Sequence, residues 1–284
     1  MTDALQSLAD RAARHMSAGR FAEAATDFAA VLAREPDHPD IWYNLGYAQR
    51  RARQYEEALA AYRQALDRGV GGPEEVHLNR AVILAHDLGR SDEAMGELAA
   101  ALKLAPRYFP ALLNLGGIHE DRGEREQARE VYARALEAKP GDTLVLTRLA
   151  VLSDIEAADH PLIARMRRQI DSPQTSDAER ADLGFALGQI LDRIGAYDEA
   201  FAAYDKANSA SRASHGAEHR YDAVAAERTT NRVIEAFADP PRGGGESEGI
   251  RPLFICGMFR SGSTLAEQIL ARHSRVTAGG ELDL

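Results

Sequence analysis

The sequence predicts a mainly α-helical chain: an array of stacked helix pairs followed by a short, incomplete α/β segment. Three observations carry that expectation. Five segments, "GRFAEAATDF", "RQYEEALAAY", "GRSDEAMGEL", "GEREQAREVY" and "GAYDEAFAAY", vary one theme. Their key alanines, Ala24, Ala58, Ala94, Ala128 and Ala200, lie 34, 36, 34 and 72 residues apart, the last gap being twice 36. Near the end, "LFICGMFRSGST" runs from four apolar residues into a glycine-containing loop and a helix-like start. Self-similarity at a period of this length marks units that bury their apolar faces by stacking.

Taken in order, residues 1–238 read as about six helix pairs. Four residues after each key alanine stands a bulky side chain: Phe28, Tyr62, Leu98, Tyr132 and Tyr204. Upstream, "WYNLGYA", "LLNLGGI" and "GFALGQI" supply Gly46, Gly116 and Gly188. Small residues let two antiparallel helices approach closely while the large residue fills the space beside them. Pro36, Pro106 and Pro140 close their units, because proline stops a helix and starts the next turn. The loop "GVGGP" at 69–73 separates the second and third units. Residues 143–180 keep the length of a unit but lose its signature, with "TLVLTRLAVL" as first helix and "PLIARMRRQI" as second. "YDAVAAERTTNRVIEAF" at 221–237 reads as an amphipathic helix capping the array. Residues 239–250, rich in glycine and proline, read as a flexible linker.

Spacing and residue type together resemble the tetratricopeptide repeat family over about residues 5–142 and 180–213. The resemblance implies a right-handed solenoid with a concave groove. Asn44, Asn79 and Asn114, at equal spacings of 35, fall on one side of such a solenoid. A ladder of amides there can hydrogen-bond the backbone of an extended protein or peptide partner whatever its side chains. A similar ladder is known in peptide-binding repeats of this family. The alternative is that these are solvated polar positions.

The 284 residues carry a net charge of −10, which argues against wholesale nucleic-acid or anionic-membrane binding. No apolar run approaches a membrane span, and the N-terminus lacks the apolar core of a secretory signal. Cys256 is the only cysteine, which excludes an internal disulfide and suits a reducing, cytoplasmic compartment. His15, His77, His86, His119, His160 and His273 show no metal-ligand spacing, so no metal is expected. Trp42 and the repeat tyrosines read as core.

The tail differs. Residues 251–284 carry a net charge of +1, leaving about −11 on the rest. Gly257 and Gly262 allow backbone N–H groups to line a concavity, and a helix start adds positive partial charge. Arg260 offers a charge-assisted fork, and Ser261, Ser263 and Thr264 offer hydroxyls, a set suited to phosphate or sulfate. The spacing approaches a Walker A loop, but Ser263 holds the lysine position and residues 251–284 contain no lysine, so nucleotide hydrolysis is weakly supported. The stretch Arg260-Ser261-Gly262-Ser263-Thr264-Leu265, then Glu267-Gln268-Ile269-Leu270, then Gly279-Gly280-Glu281-Leu282, resembles the start of the sulfotransferase fold. It is most similar to bacterial repeat-linked sulfotransferases and, more distantly, to tyrosylprotein sulfotransferases, with Phe259 standing where that family usually has proline.

That resemblance implies 3′-phosphoadenosine 5′-phosphosulfate (PAPS) as donor. Arg260 would clamp sulfuryl or phosphate oxygens, with Ser261 and Gly262 in the same loop, and Ser263 and Thr264 would hold the 5′-phosphate. Glu281 would be the general base; its alternative is a solvated turn residue. One strand and one helix cannot bury a core, so the segment is expected to be the front of a longer domain. The other functional expectation is an interaction scaffold with an inert tail.

Overall fold

The computed structural model describes residues 3–215, 222–236, 238, 253, 255 and 263–277. Contacts divide the chain into two units, Met1–Arg220 and Tyr221–Leu284.

The first unit is an array of six antiparallel helix pairs: α1 Asp3–Ser17 with α2 Phe21–Leu32, α3 Pro39–Arg51 with α4 Tyr55–Asp67, α5 Pro73–Val82 with α6 Ser91–Leu104, α7 Phe109–Asp121 with α8 Arg125–Ala138, α9 Thr143–Leu152 with α10 Pro161–Ile170, and α11 Asp177–Arg193 with α12 Tyr197–Ser214. Each second helix packs on its own partner and on the first helix of the next pair, and α9 also meets α11 directly. From the second pair onward one core runs along the array, from Ala58 through Leu98, Tyr132, Leu146 and Met166 to Ile190, and a smaller cluster around Ala12, Ala24, Phe28 and Leu45 fills its start. The pair expected at 143–180 is present with the expected bounds.

The small–large pattern works by direct contact. A Cβ added to Gly46 would lie 2.9 Å from Tyr62 Cδ1, one on Gly116 2.4 Å from Tyr132 Cε1, and one on Gly188 2.6 Å from Tyr204 Cε1. The ring thus occupies the volume a side chain would need, and glycine is the only residue that admits it. In the third pair the contact is relaxed: Ala81 takes the glycine position and Leu98 the tyrosine position, both buried. These two are 17 residues apart rather than 16, and the extra residue is absorbed by a π-helical turn over Ile83–Asp87, where the Leu88 N–H donates to Ile83 O at 3.0 Å. Such a turn is how a helix accommodates one inserted residue.

The turn that opens each repeated theme needs a left-handed residue. Gly19, Gly89, Gly123 and Gly195 supply it at φ of 68° to 81°, and Arg53 supplies it at φ 63°. Arg53 is the one non-glycine residue with positive φ among the described residues. The regular second helices start from these turns without a side-chain cap. Capping appears where the signature fades. The Val145 N–H donates to Asp142 Oδ1 at 3.0 Å, the Leu162 N–H to His160 Nδ1 at 3.2 Å, and Ser176 with Glu179 forms a reciprocal capping box.

Two of the interlocked tyrosines differ at their hydroxyls. Tyr132 donates to Glu120 Oε2 at 2.8 Å and accepts from Arg148 Nη1 at 3.0 Å. The Tyr62 hydroxyl, equally buried, has no hydrogen-bond partner among the described residues. An unpaired buried hydroxyl costs free energy, whereas one bonded to a charged group contributes it. Tyr62→Phe is therefore expected to leave stability unchanged or raise it by up to about 1 kcal/mol, while Tyr132→Phe lowers it by about 1 kcal/mol. Urea denaturation of both variants checks this; equal losses would show that the hydroxyl bonding is irrelevant.

The second unit contains α13 Ala223–Ala236 and α14 Ser263–Leu270, neither with a buried residue among those described. The helix expected at 221–237 is thus observed as α13, but it belongs to this unit rather than to the array, and the division falls after Arg220 instead of at 239–250. The strand expected at Leu253–Cys256 is not seen: Leu253 and Ile255 are not in a strand, and Phe254 and Cys256 lie outside the described residues. No strand occurs among the described residues, so nothing there offers the ladder of partners a strand requires.

Candidate functional site

The first helices of the pairs carry the three asparagines. Asn44 lies on α3 and is exposed, and no hydrogen bond among the described residues engages its amide. Asn79, on α5, donates from Nδ2 to the Tyr43 hydroxyl at 3.3 Å, and that hydroxyl donates to Glu75 Oε1 at 2.7 Å. Asn114, on α7, donates from Nδ2 to the Pro110 carbonyl at 2.8 Å. Because the Tyr43 proton is committed to Glu75 and a carbonyl only accepts, both amides are fixed with nitrogen inward. Each keeps its Oδ1 acceptor and one N–H for a partner. The bond from Asn79 to Tyr43 spans two successive pairs, which places these side chains on a shared face. Burial, with the hydrogen bond to Glu75, pushes Tyr43 up to about 12, so its hydroxyl remains a neutral donor.

One pair further on, Arg148 on α9 donates from Nη1 to Glu120 Oε2 and to the Tyr132 hydroxyl, each at 3.0 Å. Burial opposes its charge, but the bonds to Tyr132 and Glu120 outweigh that and raise its pKa. Gly117 sits beside this group; a Cβ there would be 3.9 Å from Arg148 Nη1. Arg148 is not an amide, yet it stands 34 residues after Asn114, at the repeat position of the asparagines.

A second polar cluster lies in a cleft of about 610 Å³ between α4, α5 and α6. Arg80 donates to Glu97 Oε1 from Nε at 2.8 Å and to the Leu59 carbonyl from Nη1 at 2.6 Å, while His77 Nδ1 meets Glu97 Oε2 at 2.7 Å. These groups satisfy one another, so the cluster ties α4, α5 and α6 together. Of the histidines, His15 pairs with Asp27 and His119 with Glu124, whereas His86 and His273 are exposed; no group of three or more potential metal ligands occurs among the described residues. Trp42 donates to the Pro36 carbonyl at 2.7 Å and packs on the core.

In the tail, Ser263 and Thr264 begin α14, Ser263 partly buried and Thr264 exposed. Arg260, Ser261, Gly262 and Glu281 lie outside the described residues. No helix among the described residues is long and apolar enough to cross a membrane.

Family models for the tetratricopeptide repeat match residues 9–73, 48–107, 85–152 and 182–214. The array belongs to the tetratricopeptide-repeat family. The stretch between 152 and 182, left unmatched, includes α10 and the side-chain-capped start of α11, within the repeat that has lost its signature. A model for the sulfotransferase family matches residues 252–284. Among curated relatives, an uncharacterized protein of Aquifex aeolicus is 29% identical over 210 residues, covering 74% of this chain and 27% of that protein. Superkiller complex protein 3 of Mus musculus is 29% identical over 105 residues, covering 37% and 7%. The photosystem I assembly protein Ycf3 of Prochlorococcus marinus is 30% identical over 125 residues, covering 37% and 69%. The chain thus spans about a quarter, or far less, of the first two relatives it matches. Among solved structures, MamA of Desulfovibrio magneticus RS-1 aligns with 15% identity and a TM-score of 0.49 over 76% of this chain and 99% of that one. YrrB, described as a TPR protein with an unusual peptide-binding site, aligns with 18% identity and a TM-score of 0.45 over 58% and 84%.

Proposed function

We propose that the tetratricopeptide array binds an extended peptide along the face formed by its first helices. The carrying observation is the asparagine ladder: Asn79 and Asn114 are tethered through Nδ2, and each keeps an acceptor and a donor for a peptide backbone. Backbone recognition of this kind tolerates varied side chains, which suits a protein that presents segments of its partners. Converting Asn44, Asn79 and Asn114 to alanine together is expected to weaken binding of an extended peptide about tenfold or more, since each lost bond is worth about 0.5–1.5 kcal/mol. Unchanged affinity in isothermal titration would overturn the reading.

A second reading rests on the sulfotransferase match at 252–284. Here the chain contributes the donor loop of an enzyme that moves a sulfuryl group from PAPS to an acceptor hydroxyl on the presented peptide. The acceptor oxygen forms a bond to sulfur as the sulfur–oxygen bond to 3′-phosphoadenosine 5′-phosphate breaks. Glu281 takes the acceptor's proton. Arg260, with Ser261, Gly262, Ser263 and Thr264, holds the donor's oxygens and offsets the charge on the departing phosphate. Titration of the whole native protein with 3′-phosphoadenosine 5′-phosphate tests it. Saturable binding lost in Arg260→Ala supports donor binding, and no binding, or equal binding of ATP, overturns it.

A further inference from the structure

The position that holds the three asparagines holds Asp10 one pair earlier and Arg148 one pair later, with successive spacings of 34, 35, 35 and 34 residues. The ladder therefore ends in opposite charges. Asp10, on α1, is exposed and accepts from Gln6 Nε2 at 2.9 Å. Arg148 is 39% exposed. Its Nη1 carries both bonds, to Glu120 and Tyr132, and no hydrogen bond among the described residues reaches its Nε or Nη2. Those two N–H groups lie side by side and form the fork that takes a carboxylate in two parallel bonds. Glu120 is itself held by the Tyr132 hydroxyl, so the pair fixes the guanidinium in place through one corner and leaves the fork open. Gly117 lies on the bonded side, where a Cβ would be 3.9 Å from Nη1.

We propose that the groove selects an extended protein segment carrying an acidic side chain at Arg148 and a basic side chain near Asp10. This rests on the peptide-binding reading and adds to it what the peptide must contain. Successive first helices meet directly at α5 with α7 and at α9 with α11, and helices so packed stand about 8–10 Å apart. Four intervals separate the end rungs, and an extended chain advances about 3.3 Å per residue, so the two charges stand roughly 10–12 residues apart. The acid is a side chain within the segment rather than a chain end, because α11 continues the row of first helices past α9. The asparagines hold the backbone of any sequence, and the charged ends set which sequence is held and in what register.

The test uses the full chain and fluorescein-labelled, N-acetylated, C-amidated 16-residue peptides of alanine, serine and threonine. One lysine and one glutamate are placed nine to thirteen residues apart, and each is replaced in turn by glutamine. Affinity is read by anisotropy at low and high salt. Glutamate over glutamine is expected to tighten binding about three- to tenfold at low salt, as for a partly exposed charge-assisted pair, and to lose most of that gain at high salt. Arg148→Gln should abolish the glutamate preference and keep the lysine preference, and Asp10→Asn should do the reverse. Arg148→Lys, which retains charge without the fork, should keep only part of the gain. The proposal falls if Arg148→Gln weakens glutamate and glutamine peptides equally, or if only a free C-terminal carboxylate is preferred. Absence of binding by every peptide, or binding indifferent to loss of the asparagines, overturns the peptide-binding reading itself and this inference with it.

Discussion

Arg80→Leu is expected to destabilise the array by about 2–3 kcal/mol, the cost of removing the buried partner of a part-buried, charge-assisted pair. Arg80 is 7% exposed and joins three helices: it reaches Glu97 on α6 and the Leu59 carbonyl on α4 from its own position on α5. Leucine would leave a carboxylate and a carbonyl facing an apolar neighbour in the seam between the second and third pairs. Replacing both residues, as Arg80→Leu with Glu97→Leu, removes the stranded charge and should recover at least half the loss. Urea denaturation of the single and double variants decides it; a single-variant cost below about 1 kcal/mol would mean that the pair is not a determinant of stability. The same pair predicts a pH dependence. Burial works to raise the Glu97 pKa, but its bonds to Arg80 and His77 prevail and hold it below the ordinary 4.5. A depressed carboxylate contributes stability above its unfolded pKa and loses it as pH falls through the folded value. The advantage of the native protein over Glu97→Gln should therefore be full at neutral pH and shrink below about pH 4.5.

Gly116→Ala should lower stability by about 2 kcal/mol, whereas Gly117→Ala, one residue on, should raise it by up to about 1 kcal/mol. Both changes gain the helix propensity of alanine. At Gly116 the new methyl would stand 2.4 Å from Cε1, 2.7 Å from Cδ1 and 2.9 Å from Cζ of a fully buried ring, so α7 and α8 must separate. At Gly117 its nearest neighbour is the end of Arg148, at 3.9 Å, an ordinary contact. Opposite signs in thermal or urea unfolding confirm the interlock, and equal signs would show that helix spacing adjusts freely.

Much of the array was legible because two periods agree: apolar residues recur along each helix, and the alanine–aromatic theme recurs every 34 to 36 residues. Even the fifth pair, lacking the theme, was placed, since "TLVLTRLAVL" and "PLIARMRRQI" are apolar-patterned runs bounded by turn residues and match α9 and α10. Other features leave no such trace. Arg80 and Glu97 read as two ordinary charges 17 residues apart, and only the packing of α5 against α6 makes them a part-buried pair. Arg148 breaks the identity of the amide ladder, and only its 34-residue spacing from Asn114 marks it as the next rung. Contacts group α13 with the second unit; its amphipathicity indicates a face to be covered without saying by what. Of the anion-binding residues expected in the tail, only Ser263 and Thr264 fall within the described residues, at the first two positions of α14.

The π-helical turn at Ile83–Asp87 shows how this array tolerates insertion. One extra residue in an α-helix rotates everything beyond it by about 100°, enough to turn a core side chain toward solvent. Here the excess is confined to five residues, so Ala81 before it and Ala94 after it both remain fully packed. The other added residue lies between the second and third pairs, where Gly69 and Gly72 take left-handed conformations. Together the two insertions produce the even 35-residue step from Asn44 to Asn79 to Asn114. An even step therefore arises from two unrelated repairs, one inside a helix and one between helices. They mark two seams where the length of the chain can change without turning a rung of the ladder away from its neighbours.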